Sequence, residues 1–106
     1  MTQVELLNLL KAIGYPVAYS HFNSDPPAPY LVYLFAYDTD LMADNRNYVE
    51  ISNFQIELYT EIKDLAAEKK VQDTLKVAEL PYRKNESWIE SEKLYQIIYE
   101  IQLIGA

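Results

Sequence analysis

The stretch Asp44–Asp64, DNRNYVEISNFQIELYTEIKD, decides the fold. From Ser52 to Thr60 it alternates strictly: Phe54, Ile56 and Leu58 face one way, and Asn53, Gln55, Glu57 and Tyr59 the other. A two-residue period marks a strand with one face in a core and the other face wetter. The run is rich in β-formers and holds no Gly or Pro, so it suits the middle of a sheet rather than an edge. Directly after it the period turns helical, with Asp64 placed to cap the helix. A central strand feeding a helix is therefore the expected anchor.

Working back from that anchor, Thr2 and Glu5 have the T-x-x-E spacing of a capping box. Val4, Leu6, Leu7, Leu9, Leu10 and Ile13 then form an apolar helical face, and Gly14 and Pro16 end it. Val17–Ser20 reads as a short extended piece. His21–Pro29 holds three prolines and no periodicity, which predicts a rigid surface loop. Tyr30–Tyr37 (YLVYLFAY) reads as a strand covered on both faces. Asp38–Asn47 is polar and is expected to be a mobile connection, part of a long hairpin. It carries two apolar residues, Leu41 and Met42, which either stand exposed as a docking knob or fold back on the sheet.

Working forward, Leu65–Ala78 reads as a second helix that Pro81 stops. Ala67, Val71, Leu75 and Ala78 form its apolar stripe, and Glu68, Lys69, Lys70, Gln72, Asp73 and Lys76 its wet side. Tyr82–Ser87 is a modest strand and Trp88–Glu92 an acidic turn. Lys93–Ile104 closes the chain as a long strand, with Tyr95, Ile97, Tyr99, Ile101 and Leu103 on one face and Gln96, Glu100 and Gln102 on the other. The order α-β-β-β-α-β-β predicts one α+β domain over residues 1–106: an antiparallel sheet of four to five strands with two helices on one face.

With 106 residues, half of them hydrophobic, the chain has enough apolar material for a packed core. The lack of cysteine excludes a disulfide framework, thiol chemistry and Cys-ligated zinc. No apolar run approaches the ~20 residues of a membrane span, so no membrane role is expected. The start lacks the pattern of a secretion signal, and cytosolic synthesis is the expectation. Sixteen acidic against nine basic residues give a net charge of −7, which argues against gripping nucleic acid. Ten tyrosines, against three Phe and one Trp, stand out. A ring with a polar tip suits subunit contacts, and it equally suits capping a sheet face.

Chemistry finds little support, and neither a catalytic residue nor a cofactor is expected. His21, the single histidine, has no evident orienting partner. Two glycines cannot build a phosphate-cradling loop. Asp38–Asp44 hints at a calcium loop but fails it: Met42 stands at the fifth position, Ala43 where glycine is required, and Val49 where the closing Glu belongs. Glu57 and Glu100 fall on the polar faces of strands that could be neighbours, which makes them a candidate carboxylate pair, with a solvated or subunit-facing surface as the plainer reading.

Several short runs resemble the tail-completion proteins (tail terminators or head–tail joining proteins) of long-tailed phages and prophages. They are Ala43-Asp44-Asn45 with Tyr48, Asn53 with Ile56–Thr60, and Lys63-Asp64 at the helix start. Tyr82 and Ile89–Tyr95 with Tyr99-Glu100 complete the set, which spans about Pro29 to Glu100. Leu65 stands where the family carries a proline after the helix-opening Asp. The resemblance implies a non-enzymatic structural protein of the virion neck, present in the host cytoplasm during assembly. Its subunits would close into a homo-oligomeric, hexameric ring on the tail tube protein and join it to the head. Viral DNA would pass the lumen without specific binding. Asp38, Asp40, Leu41, Met42, Asp44, Asn45, Tyr48, Glu57, Tyr59 and Glu100 are then the interface candidates. Two other readings stay open: a head-completion protein on the portal side, and a cytosolic domain that binds a small molecule or metal.

Overall fold

A computed structural model describes residues 1–105. The elements run α1 (Gln3–Lys11), β1 (Val17–Tyr19), β2 (Tyr30–Asp38), β3 (Leu41–Ala43), β4 (Arg46–Val49), β5 (Ile51–Thr60), α2 (Leu65–Val77), β6 (Arg83–Ile89) and β7 (Leu94–Ile104). Five strands form one sheet in the order β1-β2-β5-β7-β6, and β3 and β4 form a separate two-stranded ribbon. The α+β class and the two helices are as the sequence predicts, and β5 lies in the middle of the sheet.

Alternation along β5 becomes the layering of the whole domain. Leu58 sits between Leu31 and Ile97, Ile56 between Tyr33 and Tyr99, and Phe54 between Phe35 and Ile101. These rows form the inward face, covered by Leu6 and Leu10 of α1 and by Ala67, Val71 and Leu75 of α2 in one apolar cluster. Both helix starts are capped as expected. Thr2 and Glu5 exchange the two capping-box hydrogen bonds, and the Asp64 carboxylate accepts from the Ala67 N–H at 3.0 Å. The α2 helix stops ahead of Pro81, because Glu79 takes φ = 57° and lets the Leu80 N–H reach back to the Leu75 carbonyl.

Four expectations about the strands and their connections need correction. First, the sheet is mixed, since β1 runs parallel to β2. Segment 20–29 carries the chain back across the outer face, where Phe22 packs edge-on against Tyr30. Second, β2 is covered on both faces only over its first half. Further along the strand, Phe35 and Tyr37 are exposed. Third, the connection Asp38–Asn47 is not a featureless mobile loop. Asp44 and Asn45 have φ of 52° and 63° between paired Ala43 and Arg46. That is the geometry of a two-residue primed turn, which Asp and Asn tolerate. Fourth, Trp88 and Ile89 belong to β6 rather than to a turn, facing Tyr95 and Leu94.

Glu68 also leaves its expected wet side. It is 2% exposed, because β6 offers Lys84 and Glu86, not apolar groups, to that side of α2. One carboxylate oxygen lies 2.6 Å from the Lys63 ammonium and the other 2.6 Å from that of Lys84, and Lys63 also reaches Glu86. Burial pushes the Glu68 carboxyl up, but the two ammonium groups outweigh it and hold its pKa below the ordinary 4.5. Stability from this group is therefore complete above pH 4.5 and is lost as pH falls through the lowered value.

Two predictions follow from this packing. Ile56→Ala should cost about 2–5 kcal/mol by urea unfolding, while Gln55→Ala on the opposite face changes little. Glu68→Ala should cost about 1–3 kcal/mol at pH 7. That is less than a fully buried pair would cost, since the Lys63 and Lys84 side chains are 41% and 35% exposed. The difference between Glu68→Ala and the wild type should shrink as the pH is taken below 4.5, and a gap that stays constant would contradict the pairing.

Candidate interaction surface

Between β2 and β5 the chain leaves the main sheet, forms the ribbon and returns, and Asp40 fixes the departure. Its carboxylate accepts from the Ile51 N–H at 2.8 Å and from the Asn47 side-chain amide at 2.6 Å. The Asn47 amide, followed by the Ile51 N–H, keeps the Asp40 carboxyl below its ordinary range. One residue earlier, the Thr39 N–H donates to the Ile51 carbonyl, and the Thr39 hydroxyl accepts from Asn53 at 3.1 Å. Asn53 is thereby buried on the outer face of β5, whose other residues are half-buried. Held at its base, the ribbon presents Leu41, Met42 and Tyr48 at 55%, 70% and 67% exposure. The two placements open for Leu41 and Met42 thus resolve to the exposed one. Asp44 and Asn45 form the tip. Segment 38–50 is acidic, with Asp38, Asp40, Asp44 and Glu50 against Arg46 alone.

Glu57, Tyr59 and Glu100 lie apart from this ribbon, on the outer face of the main sheet. Glu100 pairs with Gln55 and Glu57 with Ile98, so the two carboxylates are diagonal neighbours rather than a facing pair. Each is occupied by a tyrosine: the Tyr59 hydroxyl donates to Glu57 at 2.8 Å and the Tyr37 hydroxyl to Glu100 at 3.1 Å. Burial, then the bond to Glu57, pushes the Tyr59 phenol up, and for Tyr37 the bond to Glu100 does the same. Both rings stay neutral donors at ordinary pH. Gln96 donates to the Tyr59 hydroxyl and Gln102 to Asn53, so the face is a polar hydrogen-bonded lattice. Tyr30 stacks on Tyr59 at 5.0 Å between ring centres and is itself almost fully covered, with its phenol pushed up to about 12 by burial.

The ten interface candidates therefore separate into a ribbon group and an outer-face group. The sequence reading missed Tyr37, which bridges the edge of that face to Glu100. Plain alternation puts Tyr37 on the inward side with Phe35. A register shift between Phe35 and Tyr37 turns it outward, opposite Asn53, and alternation cannot see a bulge. Also missed was a groove of about 360 Å³ at the uncovered end of the helical face, lined by Gln3, Tyr19, Phe35, Ser52, Phe54 and Leu103.

His21 lies on the exposed crossing segment, where its ring meets the Ser20 hydroxyl at 3.2 Å. Among the described residues no group of three or more His, Asp or Glu side chains is placed to hold a metal ion, and no helix is long and apolar enough to cross a membrane. No family model matches the chain, and no curated protein matches it.

Asp40→Ala should loosen the ribbon without unfolding the domain. Amide exchange should speed up at Ile51 and across β3 and β4, with the global unfolding midpoint nearly unchanged. Equal exchange in both proteins would show that Asp40 does not hold the ribbon.

Proposed function

We propose that this protein is a structural subunit of a phage neck, a tail-completion protein that closes into a ring on the tail tube and helps join tail to head. The observation that carries the reading is the ribbon. It exposes Leu41, Met42 and Tyr48 on a hydrogen-bonded hairpin whose base Asp40 pins. Exposed apolar side chains on a polar ribbon suit docking on another protein, and a pinned hairpin loses little freedom when it binds. Leu41 and Met42 meet the tube, and the acid-rich segment around them keeps passing DNA from adhering. The polar, tyrosine-bearing outer face suits a contact between subunits that stays soluble before assembly.

A ring needs a heterologous contact that closes by rotation, and the chain offers distinct surfaces for its two halves. In this reading the chain's work is assembly, not catalysis, and its place is the virion neck.

Replacing Leu41 and Met42 together by Asp should abolish capping of tail tubes. The thermal midpoint should move little, because exposed positions contribute only about ±0.5 kcal/mol. Pull-down should find the wild type on the tube protein rather than on the portal. Tails that assemble undiminished with the double variant would contradict the docking role, and capture by the portal alone would move the protein to the head side of the joint.

A further inference from the structure

Strand β6 ends the sheet on its side. It is bonded to β7 along one edge and, among the described residues, to no strand along the other. It is seven residues long, without proline and without a bulge against β7. Such an edge is a template for another strand unless its sequence prevents pairing. Charged side chains usually do so, and a strand carrying one sign of charge repels its own copy. β6 instead alternates sign along one face. Lys84 stands opposite Tyr99, Glu86 opposite Ile97 and Trp88 opposite Tyr95, so all three side chains lie on the inward face. Tyr82, one place before the strand, meets Tyr99 edge-on at 5.3 Å. The row reads Tyr, Lys, Glu, Trp, and its reverse is the complement of itself.

We propose that β6 is a self-pairing edge: two copies of this chain join their sheets antiparallel through β6 about a two-fold axis at Asn85. In that register Lys84 of each copy faces Glu86 of the other, Tyr82 faces Trp88, and on the outer face Arg83 faces Ser87. Opposite charges and aromatic pairs across antiparallel strands are the stabilising combinations. A slip of two residues sets Glu86 against Glu86 or Lys84 against Lys84 at the axis. A slip of one residue throws the helices of the two copies onto opposite faces. The charge pattern thus selects one register.

Two further features fit this register. The bonds Lys84–Glu68 and Lys63–Glu86 inside each chain become one alternating network across the axis. The same register sets Trp88 of the second copy against Tyr82, at the rim of a groove of about 750 Å³ lined by Leu80, Pro81, Tyr82, Arg83 and the end of β7. Trp88 is 44% exposed in the single chain, an unusual state for a tryptophan on an open edge. A two-fold contact closes on itself and cannot build a ring. It is therefore a separate interface from the one a neck ring needs, and it stands whether or not that assignment holds.

The chain has no cysteine, so single substitutions report the register. Across the axis the Asn85 α-carbons stand about 4.5–5.5 Å apart, within the span of a disulfide. Asn85→Cys should give a covalent dimer on mild oxidation of the full chain. Ser87→Cys, whose copies lie about 13 Å apart along the strands, should give none. Sedimentation equilibrium should show Ser87→Glu, now facing Arg83, dimerising about two- to tenfold more tightly, and Ser87→Arg weaker by a similar factor. Ser87 is exposed, and circular dichroism verifies that each variant is folded. Equal cross-linking at both cysteines, charge variants that move the same way, or a monomer at every concentration would each overturn the proposal.

Discussion

Every layer of this domain follows from the two faces of β5. Three rows of side chains cross it, and each row continues without a break from β2 through β5 to β7. Because Phe54, Ile56 and Leu58 close against both helices, the opposite parity carries the polar residues, on a face that no helix covers and that segment 20–29 crosses only at the start of β2. The helices are not what makes the sheet two-sided. They settle on the face that alternation has already made apolar, since burying that face is the largest favourable term available. The outer face then needs its own solution, and it uses hydrogen bonds: tyrosine hydroxyls to Glu57 and Glu100, and amides to Tyr59 and Asn53.

That constraint also explains where the irregular features sit. A strand that must keep its register cannot absorb an insertion, so the extra residues between β2 and β5 leave the sheet as a ribbon of their own. The bulge at Phe35–Tyr37 and the Asp40 carboxylate mark the place of departure. At the other margin, β6 has little apolar surface to give the core. The gap is filled by Glu68 with its two lysines, an ion-pair cluster where Val71 and Leu75 supply hydrocarbon further along the same helix.

Much of this was legible from residue spacing. The two-residue period of Ser52–Thr60 and of Tyr95–Leu103, the capping pair Thr2 and Glu5, and the cap at Asp64 each have a local cause, and local causes can be read along a chain. What escaped depends on contacts between distant segments. Glu68 has the sequence position of a solvent-facing residue, and only the approach of Lys63 and Lys84 makes its burial affordable. Tyr37 changes face through a bulge that no periodicity announces. The parallel course of β1 depends on segment 20–29 crossing the outer face. The ribbon is the instructive intermediate: its polarity argued for a mobile connection, and the pairing of β3 with β4 about the Asp44-Asn45 turn came only from the fold. Leu41 and Met42 were found as candidates because two apolar residues interrupt a polar run, but their exposure had to come from the fold.

The ribbon is a hydrogen-bonded, outward surface, and the proposed neck role requires it to become covered on assembly. Met42 reports on that directly, because it is one of only two methionines and stands 70% exposed. Brief peroxide treatment followed by peptide mass spectrometry reads its accessibility in the free chain and in assembled tails. Fast oxidation of Met42 in the free protein, with strong protection in the assembled particle, is the predicted result. Slow oxidation in the free chain, or equal oxidation in both, would contradict it.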